Sequence, residues 1–204
     1  MFLSLGFLLL SLGLVYWALG PGRAWGVQGL RTIAVHPWGF AGVVGGLYLC
    51  YALGAGLGLA DPQLAAHWSE LAGLFGRLQP SRLPLSAGGI FLWNWSLGLL
   101  LTTCLPGLLF GLPSLGFNAL RNLILGLLLS PPAIGWHLFL LQIPTALFEL
   151  GGYALGVYGS MLLLFERGWQ PGAYSRILSR MGAVLWLATL ALLLAAWYEA
   201  FSIG

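Results

Sequence analysis

The chain has 204 residues, of which 59% are hydrophobic and 6% charged, where a soluble domain carries about 25% charged residues. A water-facing surface cannot be built from this composition, so a soluble globular class is excluded and an integral membrane protein is expected. The net charge of +3 comes from eight arginines, with no lysine, against five acids; these arginines have no aromatic-interleaved pattern suited to nucleic acid and read instead as anchors of cytoplasmic loops.

A spanning helix needs roughly 20 mostly apolar residues. Six segments qualify: 2–20, 38–60, 88–112, 115–131, 135–165 and 181–203. The predicted fold is therefore all-α, a polytopic transmembrane bundle of about six spans in one domain, with five or seven spans as alternatives. The first segment lacks the basic start of a signal peptide, and its apolar run is longer than a signal core. It is expected to remain as a span. The fourth is short and polar at its start, and is either a tilted span or a half-inserted hairpin with the third.

Between spans two and three, "DPQLAAHWSELAGLFGRLQP" predicts an amphipathic helix over 62–78. Asp61 suits the N-cap and Pro62 the first helical position. Leu64, Trp68, Leu71, Phe75 and Leu78 form one apolar stripe at helical spacing. Too short and polar to span, this helix is expected in the outer interface with Trp68 and Phe75 in lipid. A connector packed on the bundle is the other reading. Pro80 and Pro84 end it.

With six spans, Arg23, Arg31, Arg121, Arg167, Arg176 and Arg180 fall on one side, against Arg77 and Arg82 on the other. The positive-inside rule then predicts a multi-pass cell-membrane protein with both termini outside the cytoplasm. Cys50 and Cys104 lie in apolar runs without CxxC spacing and read as small buried residues. Serine-hydrolase, metal, phosphate-loop and dinucleotide motifs are all missing, and His36, His67 and His137 are dispersed. No catalytic residue, metal or cofactor is expected, and the bilayer is the expected partner.

The fifth span carries an acid inside an apolar run. Gln142, Thr145, Glu149, Gly152, Gly156 and Gly159 recur at alternating steps of three and four, a single polar-and-small face. Glycines there allow close backbone approach. They serve either packing within the chain or a homodimer, and the sequence leaves both open. Glu149 is then turned into the bundle. A charge at the bilayer centre costs on the order of 2.5–3.5 kcal/mol on insertion scales, so the acid needs a proton, a partner or water. Pro144 frees the carbonyl of Leu140, and a kink there would open a polar notch beside Glu149.

Candidate partners are Asn94, flanked by two tryptophans, and Asn118, Arg121 and Asn122 on the first turns of span four. Arg121 pairs with Glu149 if that element is half-inserted; in a full span it snorkels to the boundary. Two readings stand for this polar set: interhelical glue, or a proton or substrate site. Glu199, beside Trp197 and Tyr198 near the end of span six, suits interfacial water or the same polar set.

The run "IPTALFELGGYALGVYG" resembles the signature helix of the stage II sporulation protein M family, with its proline, phenylalanine–glutamate pair and small-residue stretch. "LWNWSLGLLLTTCLPGLLFGLPSLGFNALRNLILG" is similar to that family's asparagine-bearing spans, and "LLLAAWYEAF" to its closing span. The resemblance covers roughly residues 90–203. Carried over by position, the family's polar membrane residues are Asn94, Asn118, Glu149 and Glu199. Its histidine–glycine step is Thr145–Ala146 here, and its paired asparagines are Asn94–Trp95. The resemblance implies a compact membrane bundle with a buried acid. The family's namesake helps assemble cell-wall-remodelling machinery during engulfment, though many relatives occur in cells that never sporulate. The expected function is a membrane scaffold or assembly factor, alone or with other membrane proteins. A small transporter or channel, proton-coupled through Glu149, is the alternative.

Overall fold

The computed structural model describes the backbone of residues 2–78, 87–167 and 170–203, and the side chains of 6–71, 87–167 and 170–201. The expected break at Pro80 and Pro84, the Arg82 position and the side chains of Phe75, Arg77 and Leu78 lie outside the described residues. The chain is all-α. Its helices are α1 (Phe2–Leu19), α2 (Arg23–Val35), α3 (Pro37–Ala60), α4 (Pro62–Leu78), α5 (Ala87–Gly107), α6 (Leu112–Leu128), α7 (Pro131–Ile134), α8 (Trp136–Phe165) and α9 (Ala173–Ile203).

Among the described residues four helices, α3, α5, α8 and α9, are each long and apolar enough to cross a membrane. A fifth crossing arises if α1 and α2, bent by 69° at their junction, count as one. The six spans expected from sequence thus reduce to four or five by length and composition. The difference has two sources. The fourth segment is a 17-residue helix, α6, short of a full span, and the first is followed at once by α2. Residues 23–35, read from sequence as loop, form this second helix because Arg23 and Arg31 occupy only its outer face. Its inner face carries Gly29, where an added Cβ would lie 2.7 Å from the Ala183 carbonyl of α9.

Side-chain contacts fix the directions. α8 runs antiparallel to α9, with Gly152 on Ala188 and Leu192 and Gly159 on Met181 and Val184. It also runs antiparallel to α3, where Gly39 meets Phe165 and Tyr48 donates to the carbonyl of Leu147. α1 lies antiparallel to α9, pairing Phe7 with Trp197 and Trp17 with Trp186. The Phe7 end of α1 and the Trp197 end of α9 therefore share one end of the bundle.

α8 is the axis of the fold. Tyr153, Ala154, Val157, Tyr158, Leu162 and Leu163 are fully buried. α3 and α6 cross at reciprocal glycines. A Cβ at Gly54 would lie 2.0 Å from the Leu123 carbonyl, and one at Gly126 2.0 Å from the Tyr51 carbonyl. Backbone contact this close is how membrane helices gain dispersion energy where lipid removes the hydrophobic drive.

α4 begins as the sequence predicts, with Asp61 accepting from the amides of Gln63 at 3.1 Å and Leu64 at 3.0 Å. Its first turns pack on α3, α6 and α7, with Ala65 fully buried and Leu64, Trp68 and Leu71 half-buried. The described part of the apolar stripe thus meets the bundle, as a packed connector does.

Two boundaries also move. α9 starts at Ala173, so Arg176 and Arg180 lie on a helix and not in a loop. α5 ends at Gly107, and the turn into α6 uses left-handed Phe110 (φ 60°) and Gly111 (φ 78°). Gly111 is needed there twice over, since a Cβ would also strike the Met161 backbone at 2.8 Å.

Candidate functional site

Glu149 lies near the middle of the 30-residue α8, roughly 20 Å from either helix end at 1.5 Å per residue. A helix of that length centred on a hydrocarbon core about 30 Å thick would hold the acid at mid-depth. Its side chain is 19% exposed and accepts from two neighbours. Arg121 Nη2 is 3.4 Å from Oε1, and the Tyr153 hydroxyl donates to the same oxygen at 3.1 Å.

Arg121 is placed by α6. With Pro113 in its first turn, that helix starts at Leu112, slightly ahead of the expected 115. Arg121 is consequently in mid-helix and does not open the element, which brings it opposite Glu149. The guanidinium also lies 3.7 Å above the centroid of the Tyr153 ring. A cation over an aromatic face contributes about 0.5–2 kcal/mol depending on desolvation.

Tyr153 completes the site one turn after Glu149, on the same face. It is fully buried, and Gly98 of α5 makes room for it: a Cβ there would lie 2.4 Å from the Tyr153 hydroxyl. The sequence reading missed Tyr153. Its four-residue spacing from Glu149 was the available signal.

Asn118 bridges α6 to α5, donating to Thr103 Oγ1 at 3.1 Å and to the Ser114 carbonyl at 2.9 Å. Asn122, one turn on, donates to the Leu47 carbonyl of α3 at 3.3 Å. These two are interhelical glue. Thr145 is buried, and among the described residues its hydroxyl has no partner. Gln142 is half-buried, two turns before Glu149. Glu199 is half-buried near the end of α9.

Asn94 stands apart on α5. It is 8% exposed and lines a cleft of about 490 Å³ between α5 and α6, together with Trp93, Thr102, Phe117, Arg121 and Leu125. Glu149 does not line this cleft. Arg121 therefore faces the acid with one nitrogen and borders the cleft as well.

The face of Gly152, Gly156 and Gly159 is filled within the chain. Gly152 and Gly159 receive α9, while Gly156 receives Leu99 and Thr103 of α5. One stripe thus serves two neighbours. Pro144 is accommodated inside a helix that continues to Phe165. Near Glu149, among the described residues, the α8 carbonyl that accepts from a neighbouring helix is that of Leu147, from the Tyr48 hydroxyl.

A second charged cluster, not foreseen, caps the far end of α8. Arg180 Nη1 lies 2.6 Å from each oxygen of Glu166, and His36 Nε2 lies 3.5 Å from Oε1. The three residues come from α9, the end of α8 and the α2–α3 junction, a long-range meeting that local spacing does not encode. No family model matches the chain, and neither a curated protein nor a solved structure matches it.

Proposed function

We propose that the chain is a multi-pass scaffold or assembly factor of the cell membrane, of the kind implied by its resemblance to the stage II sporulation protein M family. The observation that carries this reading is the direct pairing of Glu149 with Arg121 and Tyr153. A carboxylate taken up by two side chains of its own chain ties α6 to α8 and sets their register. A proton carrier needs the opposite, an acid that trades its partners for water during each cycle.

In this reading the arginine-bearing end, with Arg23, Arg31, Arg176 and Arg180, is cytoplasmic, and the Phe7 and Trp197 ends of α1 and α9 lie outside. Partner membrane proteins dock on the lipid-facing surface, because the glycine face of α8 is already occupied.

Two measurements test the proposal. In proteoliposomes, Glu149→Gln that still folds is expected to leave proton flux at the level of protein-free vesicles, as does the wild type. Wild-type flux that the variant abolishes would transfer the function to a proton-coupled transporter. In native membranes, in-cell cross-linking followed by affinity isolation is expected to capture a membrane or envelope protein. Recovery of the chain alone contradicts a scaffold.

A further inference from the structure

The hairpin of α5 and α6 is closed at one end and open at the other. Thr103 and Asn118 join the two helices near the turn. Further from the turn they part, leaving the cleft of about 490 Å³ bordered by Asn94 and Arg121. Several lining residues are exposed on the outer face of the bundle, including Trp93, Phe117 and Leu120. In a membrane that face meets lipid, so the cleft is entered from the bilayer.

Its chemistry is specific. The lining is mostly apolar, with a few polar groups on opposite walls, the pattern of small-molecule sites of about 300–1,000 Å³. Asn94 is more than nine-tenths buried, and no hydrogen bond engages its side chain among the described residues. Arg121 has a buried Nη1 that is also without a partner among them. A buried donor left unpaired costs about 1–3 kcal/mol, so Arg121 Nη1 calls for an acceptor, and the Asn94 amide borders the same cleft. The wall carrying Asn94 is π-helical from Asn94 to Cys104, and π-helical turns recur at functional sites because they widen the backbone.

We infer that the α5–α6 cleft binds a neutral, chain-like lipid whose carbonyl or hydroxyl oxygen accepts from Asn94 and Arg121. Neutrality follows from the charge balance. Arg121 already answers Glu149, and a second anion at this depth would bring an uncompensated charge into hydrocarbon. Size favours a lipid over a partner helix, since one turn of a helix about 10 Å across fills roughly 420 Å³. The assignment is independent of the scaffold proposal and survives its failure.

The test is photolabelling of the full chain in lipid nanodiscs. The probe is a long-chain fatty acid methyl ester with a mid-chain diazirine, beside an alkane diazirine of equal length. Ester label is expected to concentrate on residues 93–102 and 117–125. Leu97→Trp, which fills the cleft, removes it, with Leu97→Phe as the fallback if the larger ring prevents folding. Asn94→Leu lowers ester labelling about fivefold, the worth of one hydrogen bond near 1 kcal/mol, and leaves alkane labelling unchanged. Label spread evenly over the lipid-facing surface overturns the site. Ester and alkane labelling that respond identically to Asn94→Leu overturns recognition of an acceptor. A membrane protein cross-linked at these residues and released by Leu97→Trp, with ester label unaffected, overturns the lipid in favour of a partner helix.

Discussion

Glu149 and Glu166 are roughly five helical turns apart along α8, and their side chains are almost equally exposed, 19% and 18%. Each faces an arginine. Fractional exposure alone would rank the two sites as equals. Depth separates them. The residual surface of Glu149 lies at the middle of the bundle, while that of Glu166 lies where α8 ends. The mid-depth acid has a longer ion pair, at 3.4 Å, supplemented by the Tyr153 hydroxyl and by the stacking of Arg121 on the Tyr153 ring. The helix-end acid has short contacts at 2.6 Å and a histidine. Water and headgroups can replace a partner at the end, and hydrocarbon cannot do so in the middle.

The comparison breaks most visibly when the mid-depth cation is removed. Arg121→Met is expected to cost about 3–5 kcal/mol, because an unpaired charge is left buried. Denaturation of purified protein in mixed micelles measures this, and failure of the variant to accumulate in membranes is the same result in vivo. Next is the packing that holds α6 at the right height. Gly126→Ala drives a methyl into the Tyr51 carbonyl and should cost about 1–3 kcal/mol, visible as a lowered unfolding midpoint. Glu149→Gln keeps an acceptor for Arg121 and Tyr153 and loses only the charge. A cost of about 1–2 kcal/mol is expected by the same titration, the worth of one charge-assisted hydrogen bond. The smallest effect belongs to the helix end. Arg180→Met should cost about 1 kcal/mol or less, and raised salt should shrink that difference while leaving the Arg121→Met penalty intact.

Much of the architecture was legible because a membrane chain must keep apolar runs near span length. The centre of α8 and the inward turn of Glu149 followed from the recurrence of Thr145, Gly152 and Gly156 on one face. What escaped was set by contacts across sequence. α2 was hidden by two arginines that lie on one side of a helix. The Arg121–Glu149 pair depended on where α6 begins, and Pro113, a strong helix starter, carried that information earlier than the apolar pattern did. The π-helical wall of α5 has no sequence rule to announce it. Glu166, Arg180 and His36 meet only once α9, α8 and the α2–α3 junction are packed.

The most direct test of the pairing at mid-depth is a double-mutant cycle of Arg121→Met and Glu149→Leu, read as unfolding free energy in lipid. The single Arg121→Met variant should be the least stable of the set, and the double variant should recover most of its loss, since an apolar pair can replace a buried ion pair at little cost. With a loss of about 3–5 kcal/mol for Arg121→Met largely recovered in the double variant, the predicted coupling is about 3 kcal/mol or more. Strictly additive losses would mean that the two side chains do not meet, and would contradict the account.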